Sequence, residues 1–284
     1  MLSHRLRAAV PLIGLALAAF LVPGWPGAVV FGLFGLALVL GFALGERVGL
    51  RGHRGLTLTL GTAYLAVAAA GLSPALDAGL GTLLAATLVF AAFGLCLREG
   101  RPTVAGLTAV WVSIGAFVYL FWSLSFMVRL FFLPDATGRW LLLYVAAVTK
   151  LADTGAYAAG TLTARRPQGN HKLAPSVSPK KSWEGLVGGT VAGVLVSVAA
   201  VAWVGDRLTV GGEPVLGWLS AVCIGLLASF VGLLGDLAES VLKRVADAKD
   251  SGRLPGLGGA LDMLDSLIPM GPLFYAYVRI ASGS

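Results

Sequence analysis

Charge is scarce in this sequence. Only 12% of its 284 residues are Asp, Glu, Lys or Arg, 57% are hydrophobic, and the mean hydropathy is +0.86. That balance leaves no material for a soluble domain of useful size and identifies a polytopic helical membrane protein. Cysteine is almost missing too. Cys96 and Cys223 lie far apart inside apolar runs, so neither a disulfide framework nor a cysteine zinc site is available, and both read as packing residues. His4, His53 and His171 are never paired at ligand spacing, so a histidine metal centre is not expected. Nor is there an internal repeat convincing enough for a transporter built from two halves.

What is present is mostly apolar. Runs at about 8–23, 27–45, 56–72, 77–97, 103–122, 139–160, 185–204, 214–235 and 264–281 read as spans. The expected fold is therefore all-α: a polytopic transmembrane helical bundle of about nine spans, with cytoplasmic motif loops and an amphipathic cytoplasmic helix. The first run, behind His4, Arg5 and Arg7, has the look of a signal peptide. The turn Pro23-Gly24-Trp25-Pro26 leads straight into a second run, which points instead to an uncleaved helix.

The net charge of +7 is distributed unevenly across these spans. Arg5, Arg7, Arg47, Arg51, Arg54, Arg98, Arg101, Arg165, Arg166, Lys172, Lys180, Lys181, Lys243, Arg244, Lys249 and Arg253 all fall on one face. Only Arg129, Arg139, Arg207 and Arg279 fall on the other, and Lys150 lies within span six. The basic face is the cytoplasmic one, and the expected location is a bacterial inner membrane. Topology accounts for these charges, so no nucleic-acid partner is expected. Trp111, Tyr119, Phe121, Trp122 and Trp140 read as interfacial aromatics.

Residues 1–137 hold almost nothing ionisable within their five spans and read as a transmembrane scaffold; residues 138–284, with four spans and the loops, carry the chemistry. In span six, Lys150 and Asp153 at i, i+3 are costly in an apolar helix, so they should face the bundle or a wet cavity and neutralise each other. Thr154, Tyr157 and Gly160 continue toward the cytoplasm. In the following loop, Ser178 and Pro179 read as an N-cap and first-turn pair, which puts Lys180 and Lys181 in the first turn of a helix. Lysines disfavoured there by the helix dipole become sensible beside a bound anion. Glu184 then starts the next span.

The densest charge lies between Gly235 and Ser266. At about 100° per residue, Asp236, Glu239, Ser240, Lys243, Asp247 and Asp250 share roughly one quadrant, with Leu237, Val241, Leu242 and Val245 opposite. This predicts an amphipathic helix that leaves the bilayer and ends near Asp250, ahead of Ser251 and Gly252. A glycine loop with Pro255, Gly256, Gly258 and Gly259 follows, then Asp262 and Asp265 at i, i+3 on a new helix. Carboxylates flanking such a loop, with Lys243, Arg244, Lys249 and Arg253 between them, suit a divalent metal shared with a phosphate substrate.

These residues resemble the phosphatidate cytidylyltransferase (CDP-diacylglycerol synthase) family. The segment SVLKRVADAKDSGRLPGLGGALDMLDS is similar to that family's C-terminal pattern at Ser240, Lys243, Arg244, Lys249, Asp250, Pro255, Gly256, Gly258, Gly259, Asp262, Asp265 and Ser266. Asp153, Thr154, Ala156 and Tyr157 agree with a second motif, and HKLAPSVSPKKSWEG with a third. Two positions depart: Leu257 stands where the family usually has histidine, and Met263 where it usually has arginine. The resemblance implies transfer of a cytidylyl group from CTP to phosphatidate in the membrane, giving CDP-diacylglycerol and pyrophosphate.

Mg2+ between Asp236, Asp262 and Asp265 fits this chemistry from the residues themselves, and Lys243, Lys249 and Asp250 join them in the catalytic set. Substrate contacts fall to Asp153, Tyr157, Lys172, Ser178, Lys180, Lys181, Glu184, Ser240, Arg244, Gly258 and Gly259. Glu239 is assigned a supporting role. The resemblance also allows a monovalent cation such as K+ at the metal site and, with the glycine-rich spans, a homodimer. Two alternatives stay open: a CTP-dependent lipid kinase of the polyprenol type, which would release CDP, and a catalytically inactive lipid-binding membrane protein of the same fold.

Overall fold

The computed structural model describes residues 52–98, 103–133, 137–245 and 260–283. The first two expected spans and the glycine loop, with Lys249, Asp250, Leu257, Gly258 and Gly259, lie outside the described residues. The described helices are α1 (Arg54–Ala69), α2 (Pro74–Arg98), α3 (Val104–Ala116), α4 (Ser123–Phe131), α5 (Thr137–Ala164), α6 (Trp183–Val204), α7 (Trp218–Val245), α8 (Ala260–Leu264) and α9 (Leu267–Ala281). Among the described residues the strands form two short antiparallel hairpins, β1 (Lys172–Ala174) with β2 (Ser178–Ser182), and β3 (Thr209–Val210) with β4 (Glu213–Pro214).

Local chemistry sets several helix ends. Helix α2 opens on Pro74 with Asp77 in its first turn and closes with Arg98, the arrangement that complements the helix dipole. Helix α3 is capped by the Thr103 hydroxyl, which accepts from Gly106 N at 3.0 Å. It runs through a π-helical segment, Phe117–Trp122, into α4, so this rod extends well past the expected end at 122. Four described stretches are long and apolar enough to cross a membrane: Pro74–Arg98, Val104–Phe131, Trp183–Arg207 and Trp218–Val245. The chain is a helical membrane protein.

The chain divides into two compact units. One comprises Met1–Val67, Leu72–Leu124 and Leu242–Leu264. In it, Ala92 and Cys96 of α2 pack against Val110 of α3, with Leu56 and Ile114 alongside. Phe121 is fully buried rather than interfacial: its ring takes the space beside Gly61, where any Cβ would collide, and stacks on Phe117 at 6.1 Å.

The other unit comprises Ala68–Gly71, Ser125–Val241 and Asp265–Ser284. Its core is the contact of α5, α6 and α7, built on absent side chains. On α6, Gly185, Gly189, Gly193 and Ser197 are buried at four-residue intervals while Val187, Val191 and Leu195 are exposed. A Cβ on Gly185 would stand 3.0 Å from Ala156 O of α5, and one on Gly193 would stand 2.8 Å from Gly225 O of α7. Small residues thus let backbones meet, and the large apolar side chains face outward. A polar chain crosses the same contact: Ser197 Oγ donates to Ala221 O at 2.6 Å, so the Tyr144 hydroxyl, 2.5 Å away, donates to Ser197.

Candidate functional site

The second unit assembles its ionisable residues where α5, the β1–β2 hairpin, α7 and the turn before α9 meet. Two expectations about local structure change here. Residues 178–182 are not the start of a helix; they form β2, with Lys172 opposite Ser182 and Ala174 opposite Ser178. The N-cap of α6 is Ser182, whose hydroxyl accepts from Gly185 N at 3.1 Å. Ser178 and Pro179 lose that role because Trp183 N donates to His171 O at 3.0 Å, closing the hairpin immediately before the helix.

The hairpin is anchored at both ends. Asn170 donates to Gly160 O at 2.8 Å, and Glu184 accepts from His171 N at 3.2 Å and contacts His171 Nδ1 at 2.7 Å. Glu184 therefore fastens the motif loop. Lys172 and Lys180 are exposed on the hairpin, whereas Lys181 forms an ion pair with Asp236. Tyr157 is 71% exposed on α5.

Helix α7 runs uninterrupted from the apolar span through the charged segment to Val245, and its expected end near Asp250 lies outside the described residues. Its face is also inverted relative to an ordinary surface helix: Glu239 and Ser240 are buried, and Val241, Leu242 and Val245 are exposed. A helix in lipid turns polar groups toward protein and apolar ones outward. The second change concerns Asp262 and Asp265. Helix α8 ends at Leu264, so Asp265 stands beyond it, in the turn before α9. Gly235 makes room for that turn, because a Cβ there would collide with the Asp265 carbonyl and stand 2.9 Å from Pro269.

Asp236 and Glu239 of α7 and Asp265 of the turn each offer a carboxylate oxygen within 4.8 Å of one another. Three carboxylates so close, two of them buried, repel one another strongly unless cations are present. Oxygen donors alone suit a hard divalent ion, so the residues fit magnesium. Lysines supply part of the counter-charge: Lys181 at Asp236, and Lys150, whose Nζ lies 3.3 Å from Asp265 Oδ1 and 3.6 Å from Asp153 Oδ2. The expected Lys150–Asp153 neutralisation is thus present, with Asp265 added. In the other unit, Lys243 pairs with Asp262. Arg244 is exposed.

Sequence reasoning under-rated two residues. Glu239, given a supporting role, is fully buried in the carboxylate group, and Lys150 bonds to residues more than a hundred positions away. The signal for Glu239 was its i+3 spacing from Asp236.

Apolar helices that bury a carboxylate group with lysines against it define a membrane protein with a candidate cation site. This chain belongs to the cytidylyltransferase family, which it matches over residues 3–281. It is 39% identical over 145 residues to the phosphatidate cytidylyltransferase of Haemophilus influenzae, covering 50% of this chain and 47% of that protein. It is 39% identical over 144 residues to that of Staphylococcus haemolyticus, 50% of each chain, and 36% identical over 159 residues to that of Mycobacterium bovis, 56% of this chain and 46% of the relative. The chain thus spans about half the length of these curated relatives.

Proposed function

We propose that this protein transfers the cytidylyl group of CTP to phosphatidate, forming CDP-diacylglycerol and releasing pyrophosphate. The observation that carries the reading is the carboxylate group Asp236, Glu239 and Asp265 with Lys181 and Lys150 against it. A magnesium ion held there would neutralise phosphate charge and orient the leaving group. Asp262, expected among the ligands from the sequence, belongs to the same proposal, as do Lys249 and Asp250 and, in the glycine loop, Gly258 and Gly259.

The chain's own side chains do the positioning. Phosphatidate is already an anionic nucleophile, so its phosphate oxygen attacks the α-phosphorus without a strong general base, and the bond to pyrophosphate breaks. Exposed Lys172 and Lys180 meet the incoming phosphates, and Lys243 and Arg244 stay in the proposed set on the motif they belong to. Lys181 and Lys150 keep Asp236 and Asp265 in place, and burial of Glu239 and Asp265 excludes water. Such reactions depend mainly on positioning and charge neutralisation, which accommodates leucine at 257 and methionine at 263. We place this site on the cytoplasmic face of about nine spans in a bacterial inner membrane, where CTP is present, and the glycine-rich helix faces suit a homodimer.

The test is to incubate the purified protein with phosphatidate, magnesium and CTP labelled at the α-phosphate. Label entering the lipid only with metal is the expected result. Label confined to water would overturn the reading: CDP release would then point to a lipid kinase, and no nucleotide turnover to an inactive lipid-binding protein.

A further inference from the structure

Lys150 is anomalous by the usual rules. It stands within the 28-residue α5, two residues after the apolar stretch Leu141–Val148, where an ammonium is costly. Its Nζ donates to Ser266 Oγ at 2.6 Å and to Asp265 Oδ1 at 3.3 Å, and lies 3.6 Å from Asp153 Oδ2. An ammonium has three N–H groups, and here one hydroxyl and two carboxylates face it. The oxygens come from α5 itself and from the turn before α9. Helix α7 lies against this cage at Gly232, where a Cβ would stand 3.4 Å from Ser266 Cβ and 3.5 Å from Asp153 Oδ1. Asp265 accepts a second bond on the same oxygen, from Ser266 N at 2.6 Å. Both bonds therefore fall on Oδ1, while the residue also belongs to the group with Asp236 and Glu239.

Two carboxylates aimed at one point stay ionised together only with a cation between them; otherwise one takes up a proton. The arrangement of oxygens around Nζ is one that a small dissolved monovalent ion could occupy. We propose that Lys150 is a positioning residue acting as a tethered monovalent cation: it neutralises the Asp153–Asp265 pair, fixes Asp265, and makes the site independent of dissolved monovalent ions. The covalent tether supplies this charge at an effective concentration that no cellular salt fluctuation alters. The proposal deepens the cytidylyl-transfer reading, and it rests on Asp265 belonging to the divalent-ion site.

The experiment compares wild type, Lys150→Ala, Lys150→Gln and Lys150→Arg as full chains in detergent. Unfolding temperature and Mn2+ binding are measured in tetramethylammonium chloride, then with that salt replaced at constant ionic strength by ammonium or potassium chloride. Wild type and Lys150→Arg should not distinguish the salts. Lys150→Ala and Lys150→Gln should gain unfolding temperature and change Mn2+ affinity saturably with the small cations alone. Their cytidylyl transfer should be lower by about tenfold or more in tetramethylammonium and largely restored by ammonium.

A lysine with only a structural role would leave both variants defective to the same degree in every salt, which overturns the proposal. So does a wild type that responds to the small cations as strongly as Lys150→Ala. If Lys150→Ala folds only with small cations present, that selectivity supports the proposal; if it folds in none of the salts, Lys150→Gln decides by the same comparison. A wild type unable to transfer label would sink the proposed function while the unfolding and Mn2+ measurements still decide the role of Lys150.

Discussion

Lys181 on the β1–β2 hairpin forms an ion pair with Asp236 on α7, so the lysine-rich loop and the carboxylate helix are held together by one charge contact. Both side chains are about three-quarters buried, with relative exposures of 28% and 27%. Lys181→Met removes the counter-charge and leaves Asp236 beside two other carboxylates. Cytidylyl transfer should fall roughly tenfold to a hundredfold, mainly in kcat, since misplacement of a reacting group costs rates of that order. Lys181→Arg keeps the charge and should recover part of the loss. Steady-state kinetics with CTP varied, alongside circular dichroism to verify folding, checks both variants.

Glu239 is fully buried in the carboxylate group, a position for which charge is expensive unless it is used. Glu239→Gln should therefore weaken Mn2+ binding by about tenfold or more, read by titration of the purified protein. An unchanged affinity would remove Glu239 from the ligand set.

Asp262 is assigned by motif and pairs with Lys243. Asp262→Asn should abolish label transfer from CTP while leaving the unfolding temperature nearly unchanged. Full turnover in this variant would exclude Asp262 from the cation site.

Two glycines should respond oppositely to an added methyl or isopropyl group. Gly193 meets Gly225 O, so Gly193→Val should destabilise the contact of α6 with α7 by about 1–3 kcal/mol. Gly94 on α2 has nothing within 4 Å of a built Cβ, and Gly94→Ala should stabilise the helix by about 0.5–1 kcal/mol. Equilibrium unfolding in mixed micelles reports both, and equal effects would contradict the packing described for α6.

Ser182 caps α6 by accepting from Gly185 N. Ser182→Ala should cost about 1 kcal/mol, measured the same way, whereas Ser178→Ala should cost less because Ser178 lies on β2 and caps nothing. The reverse order would restore the helix start at Ser178 that the Ser-Pro pair suggested.

That misplaced helix start illustrates how local signals behave in this chain. Ser-Pro before a charged run is good capping chemistry, but the competing bond from Trp183 N to His171 O is set by the hairpin, and no local pattern announces it. The same holds for α7. Helical periodicity correctly placed Asp236, Glu239 and Ser240 on one face, yet it could not say what that face packs against. In the structure the polar face turns inward, so Glu239 is buried while Val241 and Leu242 are exposed.

The sequence by itself determined the membrane class, because a bilayer demands long apolar helices and 12% charge leaves little else to build. It also narrowed the candidate site residues, since few ionisable groups exist and most cluster in short ordered motifs. Only the tertiary structure decided which of them meet. Lys150 reaches Asp265 and Ser266, and Lys181 reaches Asp236, across long stretches of chain. Those pairings depend on glycines at 185, 193 and 235 letting helix backbones and the Asp265 turn approach closely, a consequence of packing in three dimensions that one-dimensional spacing does not encode.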